Sequence, residues 1–219
     1  MRIRKKLLLI YLLFWPILLF AQDDTALWTV MSVKKPIGSK WITQLRSEIH
    51  SRNNTSEIDY WYILGGGGYK FNNWLRTDFG GIYINYNSPG SQGNYQRPIY
   101  RTFLSFTAYK KLGSLRGSLR EYWSYCFMPE TTVYGEYKKG SAYHEVRTRL
   151  RLEYMSKSKF TPYAYIEEWQ TKDWERIRYC TGTDYKLDKH TTLGAFYMWQ
   201  DKHFSVDTHV LGLEFSYTL

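Results

Sequence analysis

Cysteine is nearly missing from this chain, with only Cys126 and Cys180 in 219 residues. Two thiols exclude a disulfide-built scaffold and a four-thiolate zinc site. Proline is sparse at six residues. No low-complexity tract occurs, which excludes a linker or a fibrous protein. After residue 22 no apolar run approaches the length of a membrane helix, and no stretch shows convincing helical spacing. Rings are what the chain has in excess: 21 Tyr, 11 Phe and 9 Trp, 19% of the sequence. So many aromatics exclude disorder, which needs little apolar area. The length suits one domain or one large barrel.

The N-terminus carries an address. Arg2, Arg4, Lys5 and Lys6 form a positive head, Leu7–Phe20 is apolar apart from Pro16, and Ala21 is small enough for cleavage before Gln22. Met1–Ala21 therefore reads as a secretory signal peptide. Its apolar core falls short of the roughly 20 residues needed to span a bilayer. No cysteine follows it, which argues against a lipoprotein. The mature chain, residues 22–219, then carries 26 Lys and Arg against 20 Asp and Glu. An exported protein meets no nucleic acid, so this excess concerns pairing inside the protein or anionic lipid head groups.

Beyond residue 22 the pattern has period two. On Tyr143–Tyr154 one face reads Glu145, Arg147, Arg149, Arg151, Glu153, and the other Val146, Thr148, Leu150, Leu152, Tyr154. Successive strand side chains point to opposite faces, so this is a strand with one ionic and one apolar side. Trp41–Ile49, Ser114–Cys126 and Leu211–Leu219 alternate similarly. Short polar turns (Tyr69–Leu75, Tyr109–Leu115, Tyr185–Lys189, with looser versions at Lys34–Trp41 and Tyr154–Phe160) punctuate the strands. Generally longer connections lie between them, near Ser51–Ser56, Asn87–Arg97, Met128–Ala142, Thr171–Trp174 and Asp201–Ser205. Tight turns alternating with longer loops is the arrangement of an up-and-down outer-membrane barrel.

Alternation alone does not say which face is inside, but three features do. The charged face suits a polar lumen: Arg46, Glu48, Arg76, Asp78, Arg116, Arg120, Glu145, Arg147, Arg149, Arg151, Glu153, Arg176, Arg178 and Glu214. Rings gather at strand ends, where membrane interfaces favour Tyr and Trp. Tyr69, Trp74, Tyr109, Tyr154, Tyr185 and Tyr217 lie on the short-turn side. Trp123, Tyr125, Tyr143, Trp169, Trp174, Tyr197 and Trp199 lie on the other. Finally, a twelve-residue strand tilted about 45° rises about 28 Å, close to the roughly 25 Å apolar band. The expected fold is a closed antiparallel transmembrane β-barrel of ten to twelve strands. Bacterial single-chain barrels have even numbers, whereas the segments here count to eleven.

The leader, the opening Leu27-Trp28-Thr29, the Tyr-Lys-Leu-type turns and the ending His209-Val210-Leu211-Gly212-Leu213-Glu214-Phe215 resemble a family of bacterial outer-membrane proteins known as domain of unknown function 2490. The resemblance spans nearly all of the mature chain. It implies an outer-membrane barrel in a Gram-negative envelope and brings no catalytic residues with it. Outer-membrane lipids and the barrel-assembly machinery are the implied partners. Many barrels end on an aromatic residue that this machinery reads, whereas this chain ends at Leu219 with Tyr217 two places earlier.

Chemistry is harder to find. The Arg/Glu ladder has two readings: paired charges filling a narrow lumen, or a cationic constriction that attracts small anions. His50, His144, His190, His203 and His209 show no zinc-peptidase spacing, so no metal and no cofactor is expected. His203, Ser205 and His209 are the nearest approach to a lipid-hydrolase constellation, and an arrangement so short arises by chance. Gly65–Gly68 lacks the Lys and helix of a phosphate loop and is better read as room for a bend or a neighbouring ring. A Cys126–Cys180 bridge is open in an oxidising compartment. The leading expectation is a non-enzymatic barrel with external recognition loops. Its rivals are a small anion-preferring pore or transporter, an outer-membrane lipid hydrolase, and a soluble secreted β-barrel that binds an apolar ligand.

Overall fold

A computed structural model describes residues 23–90, 93–155, 158–172, 175–202 and 206–219. The signal-peptide assignment at 1–21 and the roles considered for Trp174, His203 and Ser205 lie outside the described residues. The strands are β1 (Asp24–Ile37), β2 (Trp41–Arg52), β3 (Glu57–Lys70), β4 (Leu75–Ser88), β5 (Tyr95–Leu112) and β6 (Leu115–Met128). A small hairpin follows, β7 (Thr131–Val133) and β8 (Glu136–Lys138). The chain finishes with β9 (Ser141–Tyr154), β10 (Phe160–Gln170), β11 (Glu175–Lys186), β12 (Thr191–Lys202) and β13 (Thr208–Thr218).

Eleven of these close into a barrel in the order β1-β13-β12-β11-β10-β9-β6-β5-β4-β3-β2, with β7 and β8 forming a separate ribbon. The count falls within ten to twelve, but it is odd, and the barrel is not antiparallel throughout. An odd number of up-and-down strands can close only by pairing the first and last in parallel. β1 and β13 do so, from Asp24 opposite Thr208 to Lys34 opposite Thr218. Asp24 consequently stands at the end bearing the longer connections, the loop end, and Thr218 at the turn end. The 53–56 connection is as short as the turns. The 129–140 connection, which holds β7 and β8, is much longer.

The period-two pattern is what closes the wall with its apolar side outward. Leu150 and Leu152 are 55% and 54% exposed on the exterior, whereas the side chains of Arg149 and Arg151, which alternate with them, are 22% and 23% exposed on the inside. Met31 and Val33 on β1, and Leu211, Leu213 and Phe215 on β13, extend the same exposed apolar surface. One row interrupts it. Glu121, Thr148 and Glu168 stand opposite one another on β6, β9 and β10, and the Thr148 hydroxyl donates to Glu121 at 2.9 Å.

The recurrent turn shares one device. The Asn72 side chain accepts from the backbone N–H of Trp74 and Leu75, both at 2.9 Å. Asp188 accepts from His190 and Thr191, both at 2.7 Å. Each short side chain substitutes for a backbone acceptor and sets the turn. Glycines make room for close approach inside the wall. Gly66 opposes Gly80 across β3 and β4, where a Cβ on Gly66 would sit 2.5 Å from the Phe79 carbonyl oxygen. The Phe79 ring meanwhile lies beside Gly67.

Candidate functional site: the lumen

Inward positions of all eleven strands converge on one axial space of about 1080 Å³. Its lining includes Arg52, Tyr86 and Lys202 near the loop end and Arg76, Arg116 and Lys186 near the turn end. All fourteen residues expected on the charged face line it. Its lining holds fifteen Lys and Arg against eight Asp and Glu.

The charges are organised around a few buried carboxylates. Glu167 is fully buried and forms the hub. Arg149 Nε donates to it at 2.6 Å, Arg120 Nη2 at 2.7 Å, Arg178 Nη1 at 3.4 Å and Trp169 Nε1 at 2.7 Å. Glu145, also fully buried, receives Arg101 at 3.3 Å and Arg147. Toward the turn end Glu153 pairs with Arg116 and, at 3.0 Å, with Arg151, which also reaches Asp184 at 3.6 Å. On β2, Glu48 holds Arg46 and His50, both at 2.6 Å, and Arg46 extends to Glu214 at 3.4 Å. Arg76 pairs with Asp78 two residues on. An ionised carboxylate in a confined space is tolerable only when donors surround it, and the four most buried, Glu48, Glu145, Glu153 and Glu167, each meet at least two.

Aromatic faces hold the guanidinium groups in place. Trp169 lies between Arg147 and Arg178, whose Cζ atoms stand 3.4 and 3.8 Å from its ring. Arg178 also faces Trp28 at 5.0 Å. The Trp28 and His50 rings lie tilted against each other with centroids 3.7 Å apart, and His50 and Tyr60 do the same at 4.2 Å. This belt of cation–π and ring contacts runs along the wall in the loop-end half of the lumen.

Several expected interface rings are placed differently. Trp169, Tyr109 and Tyr143 face the lumen, not the membrane boundary. Strand parity decides this: Leu104 and Phe106 point outward, so Tyr109 points inward, and Ile166 outward forces Trp169 inward. Tyr69, Tyr154, Tyr185, Tyr217, Trp123 and Trp199 lie on the outer face, and Trp74 is exposed in a turn. Outer rings pair along the wall, with Trp41 and Tyr69 centroids 4.7 Å apart and Tyr179 and Trp199 at 5.3 Å.

Cys126 and Cys180 are free and buried, so the bridge left open by the sequence is not formed. The described histidines are engaged structurally. His144 stacks on Trp123, His190 Nδ1 lies 2.7 Å from the Thr218 carbonyl oxygen, and His209 lies between Tyr197 Oη and Asp23. Among the described residues no three His, Cys, Asp or Glu side chains gather as a metal site. Sequence reasoning missed Glu167, Arg101 and Asp184. Their inward position was implied by alternation with Ala164 and Ile166, with Leu104, and with Thr183 and Tyr185 respectively. It also missed that part of the inner wall is apolar. One cluster joins Leu64, Ile82, Ile84, Ile99, Phe103, Tyr122 and Cys126, and a second joins Ala26, Trp28, Tyr163, Cys180, Met198 and Val210.

A family model described as "Protein of unknown function (DUF2490)" matches residues 25–209. No curated protein sequence matches. The solved structures that share the architecture include two outer-membrane barrels. The β domain of the Bordetella autotransporter BrkA superposes with a TM-score of 0.52 at 16% identity, over 77% of this chain and 79% of that one. The NanC porin superposes with a TM-score of 0.51 at 13% identity, over 82% of this chain and 88% of that one. At such identities the likeness is one of fold.

Proposed function

The chain belongs to the DUF2490 family, and we propose that it is an outer-membrane barrel acting as a narrow, anion-preferring passage without chemistry of its own. The observation that carries this reading is the lumen: one space lined from both ends, with fifteen basic side chains against eight acidic ones, or nine with the buried Glu167. Spread over the roughly 25 Å apolar band of an outer-membrane barrel, 1080 Å³ averages about 40 Å² in cross-section. That suits water, inorganic ions and small solutes. An excess of fixed positive charge in a confined, poorly screened path concentrates anions and excludes cations. The exposed apolar belt supports a bilayer setting, and the short-turn end then faces the periplasm.

Purified protein in planar bilayers tests the passage. A potassium chloride gradient should give steady conductance with a reversal potential of the sign set by chloride. Cation preference, or a membrane that stays silent, would remove the reading. A second reading, recognition by the loop end, is favoured by the built hairpin β7–β8, whose Tyr134 and Tyr137 are 48% and 63% exposed. Replacing residues 130–139 with a short flexible turn should leave conductance unchanged if the lumen carries the function. Loss of conductance would shift the role to the loop.

A further inference from the structure

The lumen has two unlike sides. In the strand order β10 stands across the barrel from β2 and β3, and β11 across from β3 and β4. From β9 and β11 the cavity receives Arg147, Arg149, Arg151, Arg176 and Arg178. From β3 and β4 it receives an uncharged patch of Tyr60, Tyr62, Leu64, Ile82, Ile84 and Tyr86, flanked by Asp59 toward the loop end and by Arg76 and Asp78 toward the turn end. The aliphatic members belong to an apolar cluster that continues into Ile99 and Phe103. Neither the filling of a barrel with ion pairs nor the passage of chloride alone calls for an apolar wall, because apolar surface against confined water is unfavourable.

Across from that wall, Arg178 on β11 has no hydrogen-bond partner at Nη2 among the described residues, and further arginine donors stay within reach to the side, on β9 and β6. The side chains of Arg149 and Arg151 keep 22% and 23% of their surface exposed, and Arg116 keeps 39%. A guanidinium has five N–H donors and a carboxylate partner occupies two at most, so a paired arginine can still receive a second anion.

We infer that the solutes this lumen favours are organic anions with an apolar body, of the arylcarboxylate class. The acidic group lies toward the arginines of β11 and β9, and the ring lies against the tyrosines and isoleucines of β3 and β4. The passage of such solutes rests on the conduit reading, whereas their binding in the lumen does not.

The test compares benzoate, acetate and chloride permeability in planar bilayers holding the full-length protein. Benzoate diffuses more slowly than acetate in water, so an indifferent pore passes acetate better. Burial of part of a ring should reverse this, giving a benzoate-to-acetate ratio about threefold above one. Ile84→Asn should bring the ratio below one, with closed-barrel mobility on a cold gel showing that the variant folds. Leu211→Ala, on the outer face, should leave the ratio unchanged. Acetate passing as well as benzoate through the wild type would overturn the inference and leave the conduit reading standing. Silence with every anion would overturn the conduit reading. Tryptophan fluorescence would then decide the inference, because Trp28 and Trp169 both line the lumen. A saturable change with benzoate, absent with acetate and with neutral benzyl alcohol, would support it. No change would overturn it.

Discussion

Glu167→Gln isolates the contribution of the buried hub. The wild-type carboxylate has no exposed surface and receives three arginines at 2.6, 2.7 and 3.4 Å. Glutamine keeps the shape and one acceptor but leaves Arg120, Arg149 and Arg178 facing one another without a counter-charge. At an effective dielectric of about 20, one such contact is worth about 4 kcal/mol before desolvation. Removing one partner of a buried pair costs roughly 3–5 kcal/mol. The arginines keep 27%, 22% and 6% of their side-chain surface exposed, so solvent screening places the expected loss near the lower value, about 3 kcal/mol. The comparison is Glu214→Gln. That carboxylate is 24% exposed and meets one arginine at 3.4 Å, which sets an expected loss of under about 1 kcal/mol. Urea unfolding of both variants in the same detergent, read by tryptophan fluorescence, measures the difference. If the two variants unfold within experimental error of each other, Glu167 is not the hub that the geometry implies. The same substitution raises the positive excess in the lumen, so anion preference should increase wherever the barrel still folds.

Gly66→Ala should destabilise the barrel by about 1–3 kcal/mol, because its Cβ would lie 2.5 Å from the Phe79 carbonyl oxygen with a facing backbone unable to retreat; Gly65→Ala, which meets nothing within 4 Å, is the paired control in the same unfolding assay. In the 187–190 turn, Asp188→Ala should slow refolding in detergent and Asp188→Asn should not, since Asn72 performs the same bonding with an amide. The backbone N–H groups of His190 and Thr191 hold the Asp188 carboxyl below its ordinary value. Its contribution is therefore present above the unfolded carboxyl range and lost as pH falls through the lowered one. The refolding difference between Asp188 and the Asn variant should consequently appear only in acid.

Much of this architecture was legible in the chain because a strand wall with lipid on one side and charge on the other writes itself as strict alternation. Glu145 through Glu153 on β9 stated both faces at once. Rings misled where they were read by type instead of by parity. Tyr109 and Trp169 suit an interface chemically, yet the residues beside them had already fixed them inward. Glu167 was hidden by its neighbour, because Glu167 and Glu168 are adjacent acids that alternation sends to opposite faces. The parallel seam between β1 and β13 was not legible at all. Pairing between the first and last strands depends on how many strands intervene, and no local signal records it. Nor could the apolar patch on the inner wall be seen, since it forms only when β3, β4, β5 and β6 curve round together.

Which face meets lipid is the claim on which the remainder depends, and spin labels at two neighbouring residues read it directly. In a background with Cys126→Ser and Cys180→Ser, nitroxides at Leu150→Cys and at Arg149→Cys are placed in liposomes and relaxed by oxygen, which partitions into lipid, and by a water-soluble nickel chelate. Oxygen should dominate at position 150 and the chelate at position 149. The opposite order would mean that the arginines face the bilayer and would contradict the account.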